Sequence, residues 1–271
     1  MACNSIDLMV SESDLPVRRD LLKPLEFDPT NLKAMKQIAD ELVMMERLDI
    51  LINITDSGLE SEDTEIRGIS SQMLINHLGP MIFTTTLLPL LKKTTLTFNE
   101  NVGRPDVRIV NVNSTAHVDA PASCRFSNLY DLNQIFPHDD NGEAYSRYAH
   151  SKFANALFSI ELQRRLNAQR VPIIVTFPHP GAICTVDCNR FLAIGEDKLK
   201  DRTLNRVEGA LTPLFCAVHP RVREQEWNWK GKYVLPFGRI KDGNIRLNNQ
   251  KLWTECWNGS MSVIEDALKA D

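Results

Sequence analysis

Between Asn31 and Glu46 the apolar residues fall at Leu32, Met35, Ile38, Ala39, Leu42, Val43 and Met45. This three-four spacing lines one face of a helix, with Asp28 or Thr30 placed to cap it. The next run, LDILIN at 48–53, is short and apolar without alternation, as expected of a strand buried on both faces of a parallel sheet. Helix and strand then recur in turn: a helix over 72–91, a strand VRIVNVNS at 107–114, a helix over 147–169 and a strand VPIIVTF at 171–177. Strand, helix, strand at this spacing predicts right-handed crossovers and an α/β fold with a doubly wound, Rossmann-like parallel sheet. Beyond Pro180 the pattern loosens to a helix over 208–217, a strand in GKYVLPF and a terminal helix over 248–269. In such a sheet the ligand lies beyond the carboxyl ends of the strands, which directs attention to Asn53, Ser114 and 178–185.

Composition narrows the class. No linker or repeat divides the 271 residues, and 43% of them are hydrophobic, so residues 1–271 read as one domain with a sizeable core. A net charge of −4, from 31 basic and 35 acidic residues, leaves no basic surplus for a phosphate backbone, and nucleic acid is not expected as a partner. The longest uncharged stretch, Gly68 to Leu91, carries Asn, His, three successive Thr and two prolines, which predicts a buried helix and no transmembrane segment. The first residues hold acids where a secretory signal needs positive charge, so a cytoplasmic protein is expected. Six scattered cysteines predict reduced thiols. Cys184 and Cys188 stand at ligand spacing without a second pair, so no metal is expected.

Chemistry concentrates in Tyr148-Ala149-His150-Ser151-Lys152. The i,i+4 spacing places a phenol and an ammonium on one helical face. A cation beside a tyrosine favours the phenolate and makes the group a usable acid and base near neutral pH. The same spacing also occurs on solvated helix faces. Ser114, at the end of a buried strand, would direct a hydroxyl into the ligand crevice, and strand-end serines also serve as plain turn residues.

RIVNVNSTAH, YSRYAHSKFANALFSIELQRRL and VPIIVTFPHPGAICT, with LDILIN and INHLGPMIFTTTLLPLL, resemble in order and spacing the short-chain dehydrogenase/reductase family. The resemblance runs from about Leu22 to Ala217. It is greatest to the branch of retinol-dehydrogenase-like enzymes and fungal reductases of secondary metabolism. It implies Tyr148 as general acid and base, Lys152 as ligand of the nicotinamide ribose and depressor of the tyrosine pKa, and Ser114 as the group polarising a carbonyl. It also implies Asn76 as holder of a relay water, Asp28 as the acid reaching the adenine, and Pro180, Gly181 and Thr185 as a loop over the nicotinamide. Residues 178–206 take the position of the substrate lid. The implied cofactor is NADP or NAD, and the implied substrate is a small, partly apolar ketone, aldehyde or alcohol. Helices carrying such a Tyr and Lys also form dimer faces in the family, which implies a homo- or hetero-dimer.

Two departures qualify the resemblance. Where the family has Asn-Asn-Ala-Gly this chain has Asn53, Ile54, Thr55 and Asp56, keeping the asparagine as a cofactor contact and placing an acid where it is expected to repel a pyrophosphate. The first glycine of the chain is Gly58, so no glycine-rich phosphate loop precedes LDILIN. The expectation is a sheet short on its N-terminal side, an atypical segment 1–21, and weakened cofactor binding. The alternative reading is a catalytically inactive relative that acts as a binding or regulatory partner of an intact homologue. A hydrolase would need a G-x-S-x-G elbow, which is not present.

Overall fold

The computed structural model describes residues 23–58, 65–97, 105–137, 142–183 and 203–270. Their elements in chain order begin with α1 (Leu32–Val43), β1 (Ile50–Asn53), the hairpin strands β2 (Glu65–Ile66) and β3 (Ile69–Ser70), and α2 (Ser71–Leu96). After these come β4 (Arg108–Asn111), the short α3 (Leu129–Leu132), the long α4 (Glu143–Ala168) and β5 (Ile174–Pro178). The chain continues through α5 (Arg206–Val218), α6 (Pro220–Glu224), α7 (Glu226–Trp229), β6 (Lys232–Leu235), β7 (Arg239–Ile240) and α8 (Gln250–Lys269). β1, β4, β5 and β6 pair in that order, all parallel, and β7 closes the sheet antiparallel to β6. Among the described residues no strand lies outside β1, which is therefore an edge.

Alternation along β4 sorts the two faces. Ile109 packs with Leu51, Val175, Phe177 and the apolar residues of α2, α4 and α8. Val110 packs with Ile174, Val234 and the Cys216–Ala217 end of α5. Arg108 on the second face is 2% exposed and is satisfied there, donating to the carbonyls of Cys216 and His219 at 3.0 Å each. A guanidinium thus meets the last carbonyls of α5, where a helix concentrates negative potential.

Local chemistry explains the boundaries. The cap of α1 is Asn31, whose side chain accepts from Ala34 N, and not Asp28 or Thr30 as the sequence pattern suggests. Asp28 instead accepts from the Thr30 amide and hydroxyl, closing the turn just before the helix. Gly79 permits α1 to approach α2, since a Cβ there would meet Met35 Sδ at 3.0 Å. By length and composition α2 could cross a membrane, but 67% of its most apolar window is buried inside the fold. The described cysteines, Cys124, Cys216 and Cys256, are buried. Cys184 and Cys188, Thr185 and most of the expected lid lie outside the described residues.

Candidate active site

One stretch of α2, Leu74–Leu78, is a π-helical turn, and Asn76 sits in it. Pro80, four residues on, has no N–H to give to the Asn76 carbonyl, and Asn155 Nδ2 from α4 takes that carbonyl at 2.9 Å. The exchange begins a buried amide network beneath the carboxyl ends of the strands. Asn113 Nδ2 donates to Asn155 Oδ1 at 3.0 Å and to the Lys152 carbonyl at 2.9 Å. Asn111 Nδ2 donates to Ser159 Oγ at 2.8 Å, and Asn53 Nδ2 donates to Asn111 Oδ1 at 2.8 Å and Thr84 Oγ1 at 2.9 Å. Each amide is satisfied by another element, so strand ends, α2 and α4 are fixed relative to one another. Asn113, Asn111, Asn155 and Ser159 were not among the residues singled out from sequence. Their signal was the polar pair 111 and 113 on one face of an otherwise apolar strand.

On this support stand Tyr148, Lys152 and Ser114. Tyr148 and Lys152 occupy one face of α4, both buried, with Nζ 5.5 Å from the centroid of the phenol ring. Ser114 ends the extended segment after β4, caps the following turn through Ala116 N, and hydrogen-bonds the Tyr148 hydroxyl. The contact that sequence did not foretell is with Asp56. Tyr148 OH donates to Asp56 Oδ2 at 3.1 Å, and Lys152 Nζ lies 3.2 Å from the same oxygen. Burial first, and the Asp56 charge next, hold the phenol well above its ordinary value of 10, while the Ser114 hydroxyl acts the other way. In this arrangement burial, and after it the Asp56 charge, set the direction of the Tyr148 shift, opposite to the lowering expected from Lys152. Asp56, expected to repel a pyrophosphate, also bonds the proton-bearing groups directly.

The other expected residues divide. Asn76 joins the site through its side chain, accepting from Ser57 N at 3.0 Å and donating to Ser57 Oγ at 3.1 Å and Ser151 Oγ at 2.9 Å; its amide pins the loop that carries Asp56. Asn53 is in the amide network at the end of β1. Pro180 and Gly181 follow β5, where His179 N donates to the Val234 carbonyl at 2.8 Å. Gly181 has φ +100°, and a Cβ there would strike Leu204 Cδ1 at 2.4 Å, so the turn requires glycine. Asp28 is exposed, engaged by Thr30, and makes no contact with this group among the described residues. Three histidines near the site are held neutral by burial, His117, His150 and His179 each to about 4.

An open, mainly parallel α/β sheet with a Tyr, Lys and Ser gathered beyond its strand ends is a doubly wound fold whose ligand site lies at those ends. No family profile matches the chain. Individual relatives do. The chain is 33% identical over 235 residues to a short-chain dehydrogenase/reductase of Armillaria gallica, covering 84% of this chain and 71% of that protein. It is 32% identical over 261 residues to an oxidoreductase of Schizosaccharomyces pombe, covering 92% and 71%. It is 28% identical over 257 residues to a short chain dehydrogenase/reductase of Colletotrichum higginsianum, of which it spans 63%. Among solved structures, an NADPH-bound carbonyl reductase from chicken fatty liver superposes with a TM-score of 0.55 at 18% identity, covering 88% of this chain and 81% of that one. The Sniffer carbonyl reductase of D. melanogaster gives 0.51 at 20% identity, covering 89% and 83%; both likenesses concern the fold. The chain belongs to the short-chain dehydrogenase/reductase family and is an oxidoreductase of it.

Proposed function

We propose that the protein interconverts a ketone or aldehyde and the corresponding alcohol on a small, partly apolar molecule, with NADP or NAD as cofactor. The observation that carries this reading is the meeting of the Tyr148 and Ser114 hydroxyls, with Lys152 one turn further along α4. As a carbonyl carbon is reduced, negative charge grows on its oxygen; Ser114 and Tyr148 stabilise that charge and Tyr148 delivers the proton. A reduced nicotinamide, when bound, supplies the hydride equivalent. At the ribose end the residues fit such a group: Lys152 offers an ammonium, Asn53 stands at the end of β1, and Pro180 and Gly181 form the neighbouring turn. At the diphosphate end the fit is poor, because among the described residues no glycine-rich turn leads into a helix beside β1, and backbone donors at such a turn are the main anchor of a dinucleotide. Asp28 would have to leave Thr30 to serve an adenosine. Weakened cofactor binding, a cytoplasmic setting and a place in secondary metabolism belong to this proposal.

The test is NADPH and NADH consumption over a panel of aliphatic and aromatic ketones. Tyr148→Phe removes one hydroxyl and no core volume, so the rate falls by about a hundredfold or more, the range of a lost general acid, while the circular dichroism spectrum is kept. An unchanged rate removes Tyr148 from the mechanism. A second reading, a non-catalytic subunit that pairs with itself or an intact homologue, is favoured by the apolar stripe Val207, Leu211, Leu214 and Val218, which is exposed on α5 beside the edge of β1. Sedimentation of the chain alone and with an intact family member separates the two readings.

A further inference from the structure

Asp56 is fixed at both oxygens. Its Oδ1 accepts from Gly58 N at 2.9 Å, and its Oδ2 takes the Tyr148 hydroxyl and the Lys152 ammonium at 3.1 and 3.2 Å. The loop is held in turn by the two bonds between Asn76 and Ser57. Lys152 is 1% exposed, and a buried ammonium without an anion is costly, so Asp56 is the group that makes its burial tolerable here. The Asp56 side chain itself is 45% exposed.

We propose that Asp56 is a positioning residue that holds the Tyr148–Lys152 pair in a resting state and competes with the cofactor's ribose for Lys152. The proposal rests on the oxidoreductase reading above. A ribose diol offers neutral oxygens to the ammonium, and these are weaker partners than a carboxylate. Ribose entry therefore requires the Asp56 loop to yield, and the phenol, released from Asp56, is then free to donate toward a substrate oxygen with the ammonium beside it. The other titratable groups facing this cluster are Tyr145 beside Tyr148 on α4, and His179 beside Lys152 on the turn after β5. Burial keeps His179 neutral down to about 4, so it adds no charge at neutral pH. Burial also raises Tyr145, whose hydroxyl is occupied by Asp119 at 2.7 Å.

Asp56→Asn keeps the size and an accepting oxygen and removes the charge; Asp56→Ser serves if the first variant fails to fold. Tyrosinate absorbance, titrated with alkali on the full chain without cofactor, reads the pairing directly when compared with the same variant carrying Tyr148→Phe. The Tyr148-dependent rise moves to lower pH by about one unit or more, the usual size of a neighbouring-charge effect. An unmoved rise overturns the proposal even if the chain reduces ketones. NADPH titration reads the competition: Asp56→Asn binds about tenfold tighter, and the gain vanishes when both chains carry Lys152→Met. Equal affinities, or a gain that survives Lys152→Met, overturn it. A shifted tyrosinate rise in chains that all fail to bind NADPH supports the resting pair and removes NADPH as the cofactor of the proposed function instead.

Discussion

α4 and α5 flank opposite faces of the same sheet and are finished to different degrees. α4 buries its apolar residues Phe153, Leu157, Phe158 and Leu162 and its polar residues Asn155, Ser151 and Ser159, the latter satisfied by α2 and β4. α5 buries Gly209, Thr212, Pro213, Cys216 and Ala217 against the strands and leaves Val207, Leu211, Leu214 and Val218 between 47% and 74% exposed. The face that positions the proposed proton-transfer groups is densely packed and its polar groups are hydrogen-bonded. The face beside the edge of β1, where the family's phosphate-binding half would lie, is open among the described residues. The groups proposed for proton transfer and the exposed stripe of α5 thus belong to opposite sides of the sheet.

Acid is expected to expose this difference most strongly. His77, His117 and His150 all pack on α4's side, and burial holds their folded pKa values to about 3, 4 and 4 against 6.5 for the free side chain. Because these values are depressed, the unfolded chain binds the protons first. Stability is complete above pH 6.5 and falls as the pH drops toward 4, by up to about 1.4 kcal/mol per pH unit for each histidine. Urea midpoints at pH 7, 6 and 5 measure the slope, and a flat series would contradict the burial of neutral histidines as the cause.

Substitutions on the two helices sharpen the contrast. Phe158→Ala empties a fully buried site that stacks on Trp257 and costs about 3–5 kcal/mol in urea unfolding. Asn111→Ala leaves Ser159 and Asn53 short of a partner in the buried network and costs about 1–3 kcal/mol. Leu211→Ala on the exposed stripe changes stability by no more than about 0.5 kcal/mol in the isolated chain. A large loss at Leu211 would mean that the stripe is covered in solution.

Much of the frame was legible in the sequence because each long element carries its own periodicity. The apolar run LDILIN became β1, the run at 171–177 became β5, and the helix expected over 147–169 begins earlier, at Glu143. The two-residue strands β2, β3 and β7 have no room for a period and were missed. The π turn at Leu74–Leu78 follows from Asn76 and Pro80 acting together with Asn155, a partner 79 residues away from Asn76. Tyr148, Lys152 and Ser114 were legible from spacing and position. The role of Asp56 was not, because its bond to Tyr148 spans 92 residues and depends on Asn76 pinning an irregular loop.

The proposal that Tyr148, Ser114 and Lys152 form a reaction centre while the described residues supply no glycine-rich phosphate turn is tested most directly by fluorescence titration of NADPH against the 271-residue chain, and against the same chain with a family-type N-terminal βαβ half grafted onto Leu22. Several amide bonds to two phosphates are at stake, each charge-assisted bond contributing about 1.5–3 kcal/mol and each tenfold in affinity corresponding to about 1.4 kcal/mol. The native chain is expected to bind with a dissociation constant above roughly 10 µM, and the grafted chain at least tenfold tighter. A low-micromolar constant for the native chain would contradict the account, because another segment would then be supplying the phosphate site.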